Sequence, residues 1–403
     1  MHQRVALVTR SLTAGLLGIA LLSGCSATDT PNQNSQSSAQ HTPSGTASNP
    51  DSTGAENADV DRDQPKDFSL MVTGDVLLHP ALLDEAKTSA QAQSGNGEDY
   101  DFSPLLAGLK PYAQDADAAL CNLETPIGKP PYSGYPRFTV PEQILADLKD
   151  VGYDGCTTAT NHTVDAGTSG VNRTLDALEE HGLFATGSYR THKDSQKPPI
   201  MEIDGVKLGV VTSTFSLNGL AADANWQVDT GVDAQRLINR GKAAKKAGAQ
   251  IVVAAIHDGT EYTNRPTAEQ QNLGHALADS GAFDFIYMHH THSVLPIEKY
   301  DGTWIVYGLG NSVAKHATKT ILNREGISVK ATFSEGKKSG DWEVSKLEWV
   351  PHQLSKSPVK WCEVFDVSDC LPAADSKASL ARTKATMNAY GAIEDGLQPW
   401  RLD

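Results

Sequence analysis

The 403-residue sequence predicts an α/β fold, and three observations carry that expectation. From residue 67 onward, short apolar runs of strand length alternate with stretches whose apolar residues recur every three or four positions. Six of the seven strand-like runs end in Asp, Glu, Asn or His, more than the polarity of turns alone leads one to expect, and α/β proteins gather ligand groups at such ends. The part beyond residue 66, about 330 residues, is long enough to bury one large core.

The elements follow in chain order. "MHQRVALVTRSLTAGLLGIALLSGC" carries Arg4 and Arg10 ahead of an apolar stretch from Leu12 to Leu22, which suits a signal-peptide core and is short for a membrane span. It closes on "LLSGC", which resembles a bacterial lipobox, so residues 1–24 are expected to be a lipoprotein signal peptide and Cys25 the lipid attachment point. Residues 25–66 hold no aromatic residue and almost nothing aliphatic larger than Ala, the composition of a disordered tether. The expected location is extracytoplasmic, lipid-anchored to the cell membrane. Residues 67–403 form the folded domain, with a core over 67–330 and closing strands and a helix over 331–403.

Within that domain the runs are "DFSLMVTGDV", "ADAALCNLETPIG", "GYDGCTTATNHTVDAG", "GVKLGVVTSTF", "AQIVVAAIHDGTEY", "FDFIYMHHTH" and "TWIVYGLGNSV". Between them "EQILADLKDVG", "SGVNRTLDALEEHG", "DAQRLINRGKAAKKAG" and "TAEQQNLGHALADSG" show helical spacing and stop at Gly. "GISVKATFSEGKKSGDWEVSKLEWVPHQL" alternates apolar and polar residues and reads as two or three antiparallel strands, and "SKASLARTKATMNAYG" as a closing helix. Cys121, Cys156, Cys362 and Cys370 remain after Cys25. Cys362 and Cys370 are candidates for one bridge, and Cys121 with Cys156 for another if their strands are neighbours.

The formal charge of −15 makes nucleic acid a poor partner, and an anionic substrate would have to be held by local devices such as metal ions. The run ends supply such a device. Carboxylates from Asp75 and Glu124, an amide from Asn161 and imidazoles from His257, His290 and His292 make a mixed oxygen and nitrogen set that suits Mn, Fe or Zn rather than Ca. Six ligands exceed the need of one tetrahedral ion, so two divalent ions, about 3.5–4 Å apart, are expected. His162, directly after Asn161, is placed to protonate a leaving group. His289 is left outside the metal shell, and His79 is a lesser candidate for it. Tyr135 and Arg137 of "GYPRF" read first as loop residues and second as contacts for an anionic substrate.

The stretches "VTGDVLLHP", "CNLETPIG", "ATNHTVDAG", "GVNRTLDALEEHGLFATG", "IHDGTEY", "MHHTHSVLP" and "YGLGNS", spanning residues 72 to 312, resemble the CapA family of capsule or poly-γ-glutamate synthesis proteins, related to calcineurin-like metallophosphoesterases. The resemblance implies a four-layer α/β/β/α sandwich with two central mixed sheets and the ligands at one edge. It assigns Asp75 and His292 to a first metal, Asn161, His257 and His290 to a second, and Glu124 to the bridging position. His162 becomes the acid, Asn122 and Asn311 support the ligands, and Glu261 lines the pocket. Two departures stand out: Val76-Leu77 follow Asp75 where phosphoesterases carry Asp-x-His, and "NLE" replaces their Gly-Asp motif. The implied function is a metal-dependent hydrolase-type site acting on an anionic cell-envelope polymer or phosphoester, within a capsule-synthesis complex. The alternative is a non-catalytic polymer-binding or assembly factor that retains the fold.

Overall fold

The computed structural model describes residues 67–92, 99–336, 341–366 and 369–402. The expected signal peptide, lipid-bearing Cys25 and tether lie outside the described residues.

Fifteen strands are described: β1 (Asp67–Val76), β2 (Ala118–Leu123), β3 (Gly155–Thr157), β4 (Phe184–Thr186), β5 (Ile200–Ile203), β6 (Val206–Thr214), β7 (Ile251–His257) and β8 (Phe285–His289), then β9 (Ile297–Tyr300), β10 (Thr303–Val306), β11 (Asn311–Val313), β12 (Glu325–Glu335), β13 (Trp342–Leu354), β14 (Trp361–Glu363) and β15 (Gln398–Pro399). They form two mixed sheets. The first has nine strands in the order β14-β13-β12-β1-β2-β3-β4, with β11 pairing β1 and β15 pairing β13; the second has six, β5-β6-β7-β8-β10-β9.

Strand alternation explains the layers, because successive side chains point to opposite faces. In β1, Phe68, Leu70 and Val72 enter a core between the sheets, while Met71 joins a second core under helices on the outer face; Val76 joins that outer core too, because the pairing of β1 shifts register between Val72 and Asp75. In β7, Ile251, Val253 and Ala255 face inward, and Val252, Ala254 and Ile256 pack against Leu237 and Leu273 of the helices Ala234–Lys246 and Ala268–Asp279. Each central sheet is thus apolar on both faces, and the expected α/β/β/α sandwich is the observed one. Both candidate disulfides are present, Cys121–Cys156 and Cys362–Cys370.

Four helices predicted from periodicity form over Gln143–Val151, Gly167–Glu180, Ala234–Lys246 and Ala268–Asp279, and the closing helix over Ala373–Met387. Three details differ from the expectation. The helix Pro80–Ala92 was not anticipated. The boundary at residue 330 falls inside β12, which pairs with β1, so the C-terminal strands complete the first sheet rather than follow it. The single run "TWIVYGLGNSV" is two strands in two sheets, β10 beside β8 and β11 beside β1. The chain crosses between them at Gly310, whose φ of +74° an L side chain rarely adopts and where a Cβ would meet the Glu325 carbonyl. That crossing sets Asn311 opposite Asp75.

Candidate metal centre

Parallel neighbours bring their C-terminal ends to one side of a sheet. β1 aligns Asp75 with Asn122 of β2, and β7 aligns His257 with His289 of β8. Glu124 follows β2, Asn161 and His162 follow β3, and His290 and His292 follow β8. The six expected ligands, the candidate acid His162 and the supporting Asn122 and Asn311 are all buried, whereas Glu261, Tyr135 and Arg137 are exposed. His290 and His292 have φ of +85° and +50°, a left-handed backbone unusual outside glycine. The turn that follows β8 therefore holds two imidazoles in strained positions, and such strain concentrates at functional sites.

The side chains converge. Glu124, His257 and His290 bring ligand atoms within 4.8 Å of one another, as do Asp75, Glu124 and His292, so Glu124 is common to both groups. Asn161 joins the first through its Oδ1, 2.9 Å from His257 Nε2. Glu261 forms a further group with His290 and His292. Nδ1 of His292 faces Oδ1 of Asn311 at 2.9 Å and Oδ2 of Asp75 at 3.2 Å, which turns its Nε2 toward Glu124 Oε1, 3.7 Å away. Asn122 donates to Asp75 Oδ1 at 2.8 Å and is itself held by Thr157. Anchoring of this kind orients metal ligands. His289 sits 3.2 Å from Asp75 Oδ1 and belongs to none of the ligand groups, and neither does His79, whose Nδ1 faces Leu77 O and Lys315 N.

The buried atoms themselves test whether a cation fits. Both carboxylate oxygens of Glu124, Oδ2 of Asp75 and Nδ1 of His290 are buried without an aligned hydrogen bond. A buried carboxylate with no donor is costly, and a bound cation is the ordinary compensation. Burial drives the Glu124 carboxyl well above its usual range, and burial with the neighbouring His290 drives His257 well below its own. Burial, then His292, takes His290 down to about 3. Burial would lower His292 as well, but Glu124 and Asp75 raise it to about 9. Burial opposes ionisation of Asp75, and His289 and His292 outweigh it, holding that carboxyl well below the usual value. Carboxylate and imidazole donors packed this closely fit divalent cations of the Mn, Fe or Zn kind.

Beside the ligands lies a cleft of about 360 Å³, lined among others by Tyr135, Arg137, Asn161, His162, Asn218 and Glu261. Nδ1 of His162 donates to Asp165 Oδ2 at 2.7 Å, which leaves Nε2 facing the cleft, 3.5 Å from Asn218 Nδ2. Asp165 was not among the expected site residues, although its place three residues after His162 in "NHTVDAG" is a turn spacing that could have shown it. Asn218 and Phe215, whose ring lies 4.6 Å from that of His290, come from a loop after β6 that carried no ligand signature. His316, with its ring 4.7 Å from His292 and Nδ1 3.4 Å from the Tyr262 hydroxyl, was likewise unforeseen.

The profile of the family described as "Bacterial capsule synthesis protein PGA_cap" matches residues 69–316. The "PGA biosynthesis protein CapA" of Bacillus subtilis is 33% identical over 216 residues, which is 53% of this chain and 55% of that protein. The "Capsule biosynthesis protein CapA" of Bacillus anthracis is 28% identical over 227 residues, 54% of each. The chain thus spans about half the length of the curated relatives it matches. Among solved structures, the calcineurin-like phosphoesterase YfkN from Bacillus subtilis aligns with 80% of this chain and 97% of that one, at a TM-score of 0.44 and 13% identity.

Proposed function

The chain belongs to the bacterial capsule synthesis protein family, and from that premise we propose that it serves the synthesis or anchoring of an anionic cell-envelope polymer of the poly-γ-glutamate kind, as an extracytoplasmic protein lipid-anchored through Cys25, with a hydrolase-type site that holds two divalent ions. One observation carries the reading: Asp75, Glu124, Asn161, His257, His290 and His292, spread over more than half the chain, meet around buried carboxylate oxygens of Glu124 and Asp75 that accept no aligned hydrogen bond. Asp75, Glu124 and His292 would hold one ion, and Glu124, Asn161, His257 and His290 the other. Bound there, such ions supply charge for a developing oxyanion and make water a nucleophile at neutral pH. His162 keeps Nδ1 on Asp165 and presents Nε2 to the cleft, so in its protonated form it gives a proton to a leaving oxygen or nitrogen. Asn218 stands beside that nitrogen and orients what reaches it. The buried walls exclude bulk water from the ligand atoms.

The test is metal analysis of protein purified without chelator, beside Asp75→Ala and His290→Ala. Wild type is expected to carry close to two equivalents of Mn, Fe or Zn, and each variant to lose at least one. Metal content unchanged in both variants would refute the site. A second reading, a non-catalytic polymer-binding or assembly factor, is favoured by Leu77, a buried apolar residue where the resemblance to phosphoesterases leads one to expect histidine. Assays on phosphomonoesters, phosphodiesters and γ-glutamyl polymers with added Mn separate the two: turnover abolished in His162→Ala supports the hydrolase, and saturable polymer binding without turnover supports the factor.

A further inference from the structure

The cleft holds a charged group that the metal centre does not use. Arg137 is the one lysine or arginine among the described residues lining it. Several other arginines are paired with carboxylates: Arg190 with Asp176 and Glu179, Arg240 with Asp229, Arg382 with Glu325. No described carboxylate pairs with the Arg137 guanidinium. Leaving a cation unpaired at the mouth of a site, in a chain of formal charge −15, gives that mouth a local attraction for anions which the molecule as a whole does not have.

The segment that carries Arg137 is not loose. Ser133 and Thr139 exchange both backbone hydrogen bonds at 3.1 Å, and the Ser133 hydroxyl donates to Arg137 O at 2.8 Å. A Cβ on Gly134 would strike the Pro80 ring, so the hairpin tip lies directly on the start of the helix Pro80–Ala92. Asp165 then links this hairpin to the candidate acid: Oδ2 of the same carboxylate accepts from Phe138 N and from His162 Nδ1, each at 2.7 Å. The Phe138 ring stands edge-on to the His162 ring, with centroids 4.8 Å apart. The Arg137 backbone is therefore held at a set place relative to His162, one residue from the Phe138 N–H that Asp165 fixes. Tyr135, 85% exposed, adds an aromatic wall to the same cleft. Glu261 lines the same cleft and groups with His290 and His292.

We infer that Arg137, with Tyr135 beside it, is a specificity-determining subsite that grips a second anionic group of the substrate, a carboxylate or phosphate, next to the group presented to His162. The inference rests on the proposed reading of the site as one that acts on an anionic polymer or phosphoester. A guanidinium presents a planar fork of donors that matches either anion in bidentate fashion, which an ammonium does not. Substrates with a charge one repeat away from the reacting bond, as in a chain of carboxylate-bearing residues, satisfy both ends of the cleft, and neutral ones leave Arg137 unpaired.

Calorimetric titration of the chelator-treated full-length protein tests this without requiring turnover. The probes are a γ-linked glutamate oligomer, tripolyphosphate, and the same oligomer with its side carboxyls amidated; Arg137→Ala, Arg137→Lys and Tyr135→Ala are compared with wild type, each with Mn stoichiometry measured separately. The expected result is binding of an acidic probe, at least 10-fold weaker in Arg137→Ala, partly restored in Arg137→Lys, and little or none of the amidated oligomer. The acidic probe that binds more tightly identifies carboxylate or phosphate as the group held. Equal affinity of wild type and Arg137→Ala, equal affinity for the amidated and acidic oligomers, or no binding of either acidic probe would each overturn the inference. Loss of Mn binding in every protein, with the Arg137 effect intact, would instead remove the metal reading and leave the subsite standing.

Discussion

Asp165 shows how one carboxylate can organise a site from outside the ligand set. It holds His162 in one tautomer and at the same time fixes the backbone of Phe138, so ring and hairpin move together. Asp165→Asn keeps the shape and removes the charge. On the hydrolase reading, its kcat with added Mn is expected to fall about 10- to 100-fold, less than the roughly 100- to 10,000-fold that a general acid itself contributes because His162 remains in place, with KM changed far less. The double variant Asp165→Asn/His162→Ala should lose no more than His162→Ala alone, because the two act as one unit; additive losses would separate them. The ligands themselves were legible because each ends a strand-like run, where a polar residue breaks an apolar pattern. Asp165, Asn218 and His316 were not, since each acts through a partner distant in sequence or around a turn, and no periodicity marks such a partner.

At the scale of elements, β2 and β3 carry Asn122, Glu124, Asn161 and His162 at or just past their ends, and β3 is only three residues long. The register Cys121↔Cys156 places a disulfide across this pair, with both sulfurs buried. Loop-closure entropy for this separation of 35 residues corresponds to about 4 kcal/mol, and for the separation of 8 between Cys362 and Cys370 to about 2.5 kcal/mol. Cys121→Ala/Cys156→Ala is therefore expected to lower the urea midpoint more than Cys362→Ala/Cys370→Ala, and to weaken Mn binding where the second pair does not. Equal shifts in both would assign β2 and β3 no special dependence on the bridge. Strand existence was readable from the apolar runs, and so were the candidate cysteine pairs. The division of "TWIVYGLGNSV" between two sheets was not, because a continuous apolar run reads alike whether its two halves pair with one neighbour or with two.

For the whole molecule, the strands that meet at the metal centre also bury titratable groups behind it. His352 of β13 is fully buried, stacked on Trp361, with Nε2 on the Asn311 carbonyl; burial takes it from 6.5 to about 4, against the smaller opposing effect of that carbonyl. The folded value lies below the unfolded one, so the unfolded chain binds the extra proton as pH falls. Stability is whole above pH 6.5, is lost between 6.5 and 4, and is flat below, for a total of about 3 kcal/mol from this group. Urea midpoints of chelator-treated protein should fall across that window, and His352→Gln should reduce the slope by about one proton; an unchanged slope would remove His352 from the acid response. The same ring anchors the Asn311 backbone carbonyl, and the Asn311 side chain faces His292. By itself the sequence determined the alternation of strands and helices, the two-sheet class through its family resemblance, and the strand-end ligands, because local pattern and composition carry that information. Tertiary structure alone decided which sheet each run enters, that Glu124 is shared by two ligand groups, and that Arg137, paired with no described carboxylate, lines the same cleft as His162. Those depend on distances between segments, and the spacing of residues along a chain does not specify distances across it.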